Sequence, residues 1–174
     1  MEKVPTCEAR SDSPGDAELD PSQFHEPAYR RTLRRLAISH VDREGPITFD
    51  RLAHLIARAH GFQRTGKRIK RTLLGAIHGS RGQTRSRNGE LVFWPDGNPP
   101  ATVLPFRGLA IGSEIRDWNE VPQPEKLGLL QQILEARPRD TARAVADVLG
   151  VGRLTSQLRD EVEMLLGVLH ALKP

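Results

Sequence analysis

The chain has 174 residues, 37% apolar and 28% charged, with a net charge of +4, enough for one ordinary domain or two very small ones with a real core. No apolar run approaches the roughly 18 residues that a membrane-spanning helix needs, and Met1 to Asp20 has no apolar segment of the kind a secretory signal requires. The single cysteine, Cys7, has no partner for an internal disulfide and no metal-ligating companions, so a reducing cytoplasm is the expected compartment.

Residues 1–26, rich in Glu, Asp, Ser and Pro, read as a disordered acidic tail. From Pro27 the pattern turns helical. Tyr29, Leu33, Leu36, Ala37 and Val41 recur at helical spacing, and Gly45-Pro46 ends that first helix. Thr48 is placed to cap a second helix with the apolar stripe Phe49, Leu52, Ile56 and Ala59, closed by Gly61 in a left-handed conformation. A third helix is expected after Thr65, read as its cap. Its apolar residues Ile69, Leu73, Ala76 and Ile77 fall within roughly 100° of one another on the helical wheel. Lys67, Arg68, Arg71 and His78 fall opposite them, with Lys70 on the flank. Thr84 to Arg87, then Asn88-Gly89, then Glu90 to Trp94 reads as a β-hairpin, because both residues of an Asn-Gly turn accept positive φ.

Three helices followed by a hairpin predict a winged helix-turn-helix over 27–95. Gly97 and four prolines from Pro95 to Pro105 predict a linker over 96–121. Residues 122–174 then predict a three-helix second unit with apolar sets Leu127/Leu130/Ile133/Leu134, Ala142/Val145/Ala146/Leu149 and Leu158/Val162/Leu165/Leu166/Leu169. The chain is thus expected to be mainly α with a small β-hairpin. A shift of 89 residues aligns Ala53, Ile56, Ala57, Gly61, Arg64, Ile69 and Lys70 with Ala142, Val145, Ala146, Gly150, Arg153, Leu158 and Arg159. The second unit therefore reads as a degenerate helix-turn-helix-like copy, although shared apolar spacing also arises by chance between helix pairs. Lys67, Arg68 and Arg71 correspond to Ser156, Gln157 and Asp160, so the copy lacks the cationic face.

Charge follows the same division. Residues 1–29 hold 2 basic and 7 acidic residues, residues 30–107 hold 16 and 5, and residues 108–174 hold 8 and 10. A basic middle segment is the footprint of a chain that meets a polyanion. The third helix concentrates it: Lys67, Arg68, Lys70 and Arg71 have no acidic residue at i±3 or i±4, and cations near a helix N-terminus oppose its dipole. Arg64, Lys67, Arg68, Lys70 and Arg71 are accordingly the expected nucleic-acid contacts, with Arg85 and Arg87 of the hairpin along the phosphate backbone. Arg85 and Arg87 also suit an exposed strand edge that discourages aggregation. Arg30, Arg31, Arg34 and Arg35 could track phosphates or pair with the acidic tail.

Gly61 to Lys67 matches the G-x-x-x-x-G-K part of a nucleotide-binding loop. Arg68 stands where Ser or Thr would hold magnesium, however, and no apolar strand precedes Gly61, so nucleotide binding is rejected. His54 and His60 fall on different helix faces outside any H-E-x-x-H pattern, and no G-x-S-x-G elbow or zinc spacing occurs. No catalytic residue, metal or cofactor is expected. Phe93 and Trp94 read as core at the hairpin base in preference to base-stacking platforms.

The stretches His40 to Ile47, Leu52-Ala53 and Gly61 to Ile69, with Phe93-Trp94-Pro95 and Val121-Pro122, resemble the domain of unknown function 3320 family over about Phe24 to Leu169. That family is commonly found at the C-terminal end of large helicase-related proteins in bacteria. The resemblance implies a non-catalytic domain working beside a DNA-dependent motor, and the motor domains are absent from this chain. The expected function is duplex DNA binding through the basic helix and hairpin. The alternative is an adaptor that docks a helicase or nuclease partner protein, with the apolar, slightly acidic second unit as the docking part.

Overall fold

The computed structural model describes residues 19–86, 89–111 and 114–172. The first unit follows from the apolar spacing. Leu33, Ala37 and Val41 bury one stripe of α1 (Arg30–Glu44), and Leu52, Ala53, Ile56 and Ala57 bury one of α2 (Phe49–Ala59). Ile69, Leu73, Ala76 and Ile77 do the same for α3 (Lys67–Ile77). The hydroxyl of Thr48 accepts from the Arg51 amide at 3.2 Å and caps α2, as its place in the sequence predicts. Helix α3 departs from expectation at its start: the cap is Gly66, not Thr65, and it offers no side-chain acceptor.

A three-stranded antiparallel sheet closes this unit, with strand order β1-β3-β2: β1 (Ile47–Thr48), β2 (Gly82–Arg85) and β3 (Leu91–Trp94). Phe93 sits opposite both Ile47 and Gln83, so its ring faces the helices from the central strand. Phe93 and Trp94 are buried, as the sequence predicts. Arg87 and Asn88 lie outside the described residues.

The expectation of a disordered tail over 1–26 needs correction at its end. Residues 1–18 lie outside the described residues, whereas 19–26 fold onto the first unit. Phe24 is fully buried and meets His60 and Phe62 edge-on, at 5.0 and 5.1 Å between ring centres. Full burial of an aromatic ring contributes on the order of 1.5–3 kcal/mol. His60 completes the knot: its Nδ1 bonds the Ile56 carbonyl at 2.7 Å and its Nε2 the Tyr29 hydroxyl at 3.1 Å. A carbonyl only accepts, so Nδ1 is the donor to Ile56, and the Tyr29 hydroxyl, which accepts from the Asp20 amide, is free to donate to Nε2.

The segment 96–121, expected as a linker, is instead a packed strap. It contains a short hairpin, β4 (Ala110–Ile111) with β5 (Glu114–Ile115), and a 3-10 turn at Trp118–Glu120. Val103, Phe106 and Trp118 pack on the core of the second unit, while Arg107 and Glu120 reach the first. Arg107 donates to the carbonyls of Glu44 and Pro46 at 2.6 and 2.8 Å. Arg51 of α2, buried, donates to Glu44 at 3.0 Å and to the Ile115 carbonyl at 3.2 Å. His54 meets Glu120 at 2.8 Å. The strap crosses α4 (Gln123–Glu135) at Gly128, where the Leu104 amide donates to the Pro124 carbonyl at 2.9 Å. A β-carbon on Gly128 would overlap the Leu104 carbonyl oxygen and stand 2.8 Å from its carbon. Both sides of that contact are main chain, so Gly128→Ala is expected to cost about 1–3 kcal/mol or more and to lower the melting temperature by several degrees in a thermal scan.

The second unit packs α4 with α5 (Thr141–Val148) and α6 (Ser156–Ala171). Its α5–α6 turn and the α2–α3 turn of the first unit close their leading helices alike. Gly61 and Gly150 both take positive φ, 77° and 69°. The amide of the next residue then reaches back to close the helix in the same way: Phe62 to the Ala57 carbonyl at 3.0 Å, and Val151 to that of Ala146 at 2.8 Å. Helices α3 and α6 begin at Lys67 and Ser156, the same 89-residue shift that aligns the sequences. The helical frame is shared while the outer residues differ.

Candidate nucleic-acid interface

Because one edge of α3 is committed to the core, the opposite edge must face solvent. Lys67, Arg68 and Arg71 are exposed there, and among the described residues none of the three has a hydrogen-bonded or ionic partner. Lys70 differs: its ammonium lies 2.7 Å from Asp50 on α2, so it pins α3 to α2 and is partly screened from an incoming anion. No helical i±3 or i±4 rule finds that pair, since its partner is 20 residues away. Arg64, in the turn before α3, is exposed, has no partner among the described residues, and lines a groove with Arg58, Thr65 and Lys70. Cap and packing roles are thereby set aside for its side chain.

The hairpin stands beside α3: Leu74 of α3 and Arg85 of β2 line one groove with Phe49 and Leu91. Arg85 is exposed, with one guanidinium nitrogen held to the Gly89 carbonyl at 2.9 Å. Arg87 lies outside the described residues. The structure thus brings Arg64, Lys67, Arg68 and Arg71 onto α3 and the turn before it, and sets Arg85 at the flanking groove.

A residue absent from the sequence reading joins this surface. His25 bonds the Thr72 hydroxyl at 2.8 Å and so lies against the edge of α3 that carries Arg68, one turn away. Burial first, and then the Arg68 charge, hold its imidazole below the ordinary histidine range. The only hint in the sequence is Phe24, a lone aromatic in an acidic stretch.

Among the described residues, no cluster of three His, Cys, Asp or Glu side chains is arranged to hold a metal ion. No described helix is long and apolar enough to cross a membrane.

Residues 22–71 match a family model, described as Protein of unknown function (DUF3320). The match takes in α1, α2 and the first five residues of α3, including Lys67, Arg68 and Arg71. It supports this domain family over the segment that carries the candidate site. It is narrower than the resemblance read from the sequence: Phe93-Trp94-Pro95, Val121-Pro122 and the whole second unit fall outside it. No curated protein and no solved structure matches the chain.

Proposed function

We propose that the first unit is a winged helix-turn-helix that binds duplex DNA, with α3 in the major groove and the β2–β3 hairpin as the wing along the phosphate backbone. On this reading the chain is a non-catalytic accessory module of the kind that acts beside helicases. The order of helices and strands and the β1-β3-β2 sheet support the winged-helix assignment. The observation that carries the DNA assignment is the trio Lys67, Arg68 and Arg71, exposed and unpartnered on one helix edge. Elsewhere the chain pairs many of its cations: Arg51, Lys70, Arg81, Arg107, Arg116 and Lys126 all meet carboxylates. Three free cations on a helix of suitable width are therefore a surface built toward an external anion.

The test is a titration of the chain with duplex DNA over a range of salt concentrations. Each neutralised phosphate contributes about 0.9 to the log–log salt slope, so α3 alone predicts a slope of about −3. Binding that is absent at low salt, or indifferent to salt, overturns the reading. The second reading, an adaptor docking a helicase or nuclease partner, draws on Val148, Val151 and Met164, which expose apolar surface on the second unit. A stable complex between the chain and a purified helicase, lost on deleting 125–174 and formed without DNA, would favour it.

A further inference from the structure

The outward face of α3 is not uniformly charged. Lys67, Arg71 and Leu74 follow one another at i, i+4 and i+7, within about 60° on the helical wheel. They stand opposite the buried stripe of Ile69, Leu73, Ala76 and Ile77. All three are exposed, Leu74 by 36%. One side of Leu74 borders the groove that it shares with Phe49, Leu91 and Arg85. Its other side continues the line of the two cations.

Gly75, the next residue, is exposed as well. A glycine weakens the middle of a helix relative to alanine. Packing does not require one here, because a β-carbon at Gly75 would meet nothing within 4 Å. The third turn of α3 therefore presents one apolar side chain beside bare backbone, where the first two turns present charge.

The reading helix of a homeodomain meets base edges at i, i+3, i+4 and i+7, and Lys67, Lys70, Arg71 and Leu74 stand at that spacing. Lys70 is engaged with Asp50. Lys67 and Arg71 donate to phosphate or to the N7 and O6 of guanine. Leu74 does neither. The apolar group that the major groove presents is the C5 methyl of thymine.

We propose that Leu74 reads thymine: its side chain rests on the C5 methyl, Gly75 lets α3 come close to the base edges, and the site prefers duplexes with an A·T pair beside the bases that Lys67 and Arg71 meet. This rests on the duplex-binding reading above. The test selects sites from a random duplex pool with the native chain, then replaces every thymine in them with deoxyuridine, which lacks only the methyl. The selected motif is expected to contain thymine. Uracil replacement is expected to weaken native binding about fourfold, the worth of one buried methyl group, and to leave Leu74→Ala binding unchanged. Leu74→Ala should keep the native salt slope, since it removes no charge. Gly75→Leu should melt at or above the native temperature and yet bind duplex more weakly.

A motif without thymine, or native binding indifferent to the methyl, overturns the proposal without any variant. So does an equal loss on uracil replacement in Leu74→Ala, a salt slope reduced in that variant, or undiminished binding by Gly75→Leu. Failure of the native chain to bind any duplex instead removes the reading on which the proposal rests.

Discussion

Lys67→Ala/Arg68→Ala/Arg71→Ala is expected to flatten the salt slope of duplex binding by about 3 and to weaken binding by on the order of 100-fold or more at low salt. The fold should not suffer. All three side chains are exposed and none is paired among the described residues, so their removal strands no partner. Alanine is the better helix former, and removing cations from the first turns of α3 relieves repulsion with its dipole. Circular dichroism should therefore be unchanged and the melting temperature equal or slightly raised. Lys70→Ala is the informative control. Its ammonium already faces Asp50 at 2.7 Å, so its loss should weaken binding less than that of any of the three. If the triple variant binds duplex as well as the native chain, or if Lys70→Ala proves the more damaging change, α3 is not the contact.

The helices were legible in the sequence because each buries one stripe, and periodicity reports stripes. Leu33, Ala37 and Val41, or Leu158, Val162, Leu165 and Leu169, declare themselves by spacing alone. The hairpin was legible through Asn88-Gly89, and β2 and β3 pair on either side of it. The glycines that close α2 and α5 were legible too, and Gly61 and Gly150 both take positive φ. What escaped is contact between residues distant in sequence. Gly and Pro between 95 and 105 read as a linker because they break periodicity, yet Arg107 reaches carbonyls more than 60 positions earlier, and Arg51 reaches Glu120. Composition reports local preference and is silent on such partners. Phe24 was lost for the same reason: its acidic surroundings suggest a tail, while its ring fits a gap between His60 and Phe62. Of the candidate site, the charge was readable and its availability was not. Lys70 looks as free as Arg71 until α2 is folded beside it.

Glu125→Ala should give the largest loss of stability, about 3–5 kcal/mol, because it leaves buried charge unpaired. Glu125 is fully buried and Arg116 is 1% exposed. Arg116 donates to both carboxylate oxygens of Glu125, at 3.1 and 2.5 Å, and Arg107 donates its Nε at 3.0 Å. These bonds fasten the strap to α4, and Arg107 extends the fastening to the end of α1. The pH dependence has a defined sign. Burial pushes the Glu125 carboxyl up, but the hydrogen bonds and charges of Arg116 and Arg107 outweigh it and hold the group below its ordinary value. Its contribution is therefore fully present above the unfolded carboxyl value of about 4.3 and is lost as pH falls through the lower folded value. Chemical denaturation at pH 7 and at stepwise lower pH should show native stability declining through that acid window, with the decline reduced in Glu125→Gln. Arg116→Met separates pairing from packing. Alone it should cost several kcal/mol, whereas Arg116→Met combined with Glu125→Leu should recover much of the loss, since an apolar pair can replace a buried ionic one. Arg107, a third of whose side chain is exposed, keeps its carbonyl partners and water in that double variant. If each single variant costs under about 1 kcal/mol, the strap is held by its apolar contacts and its other hydrogen bonds, and the Glu125 clamp is incidental to the way the two units are joined.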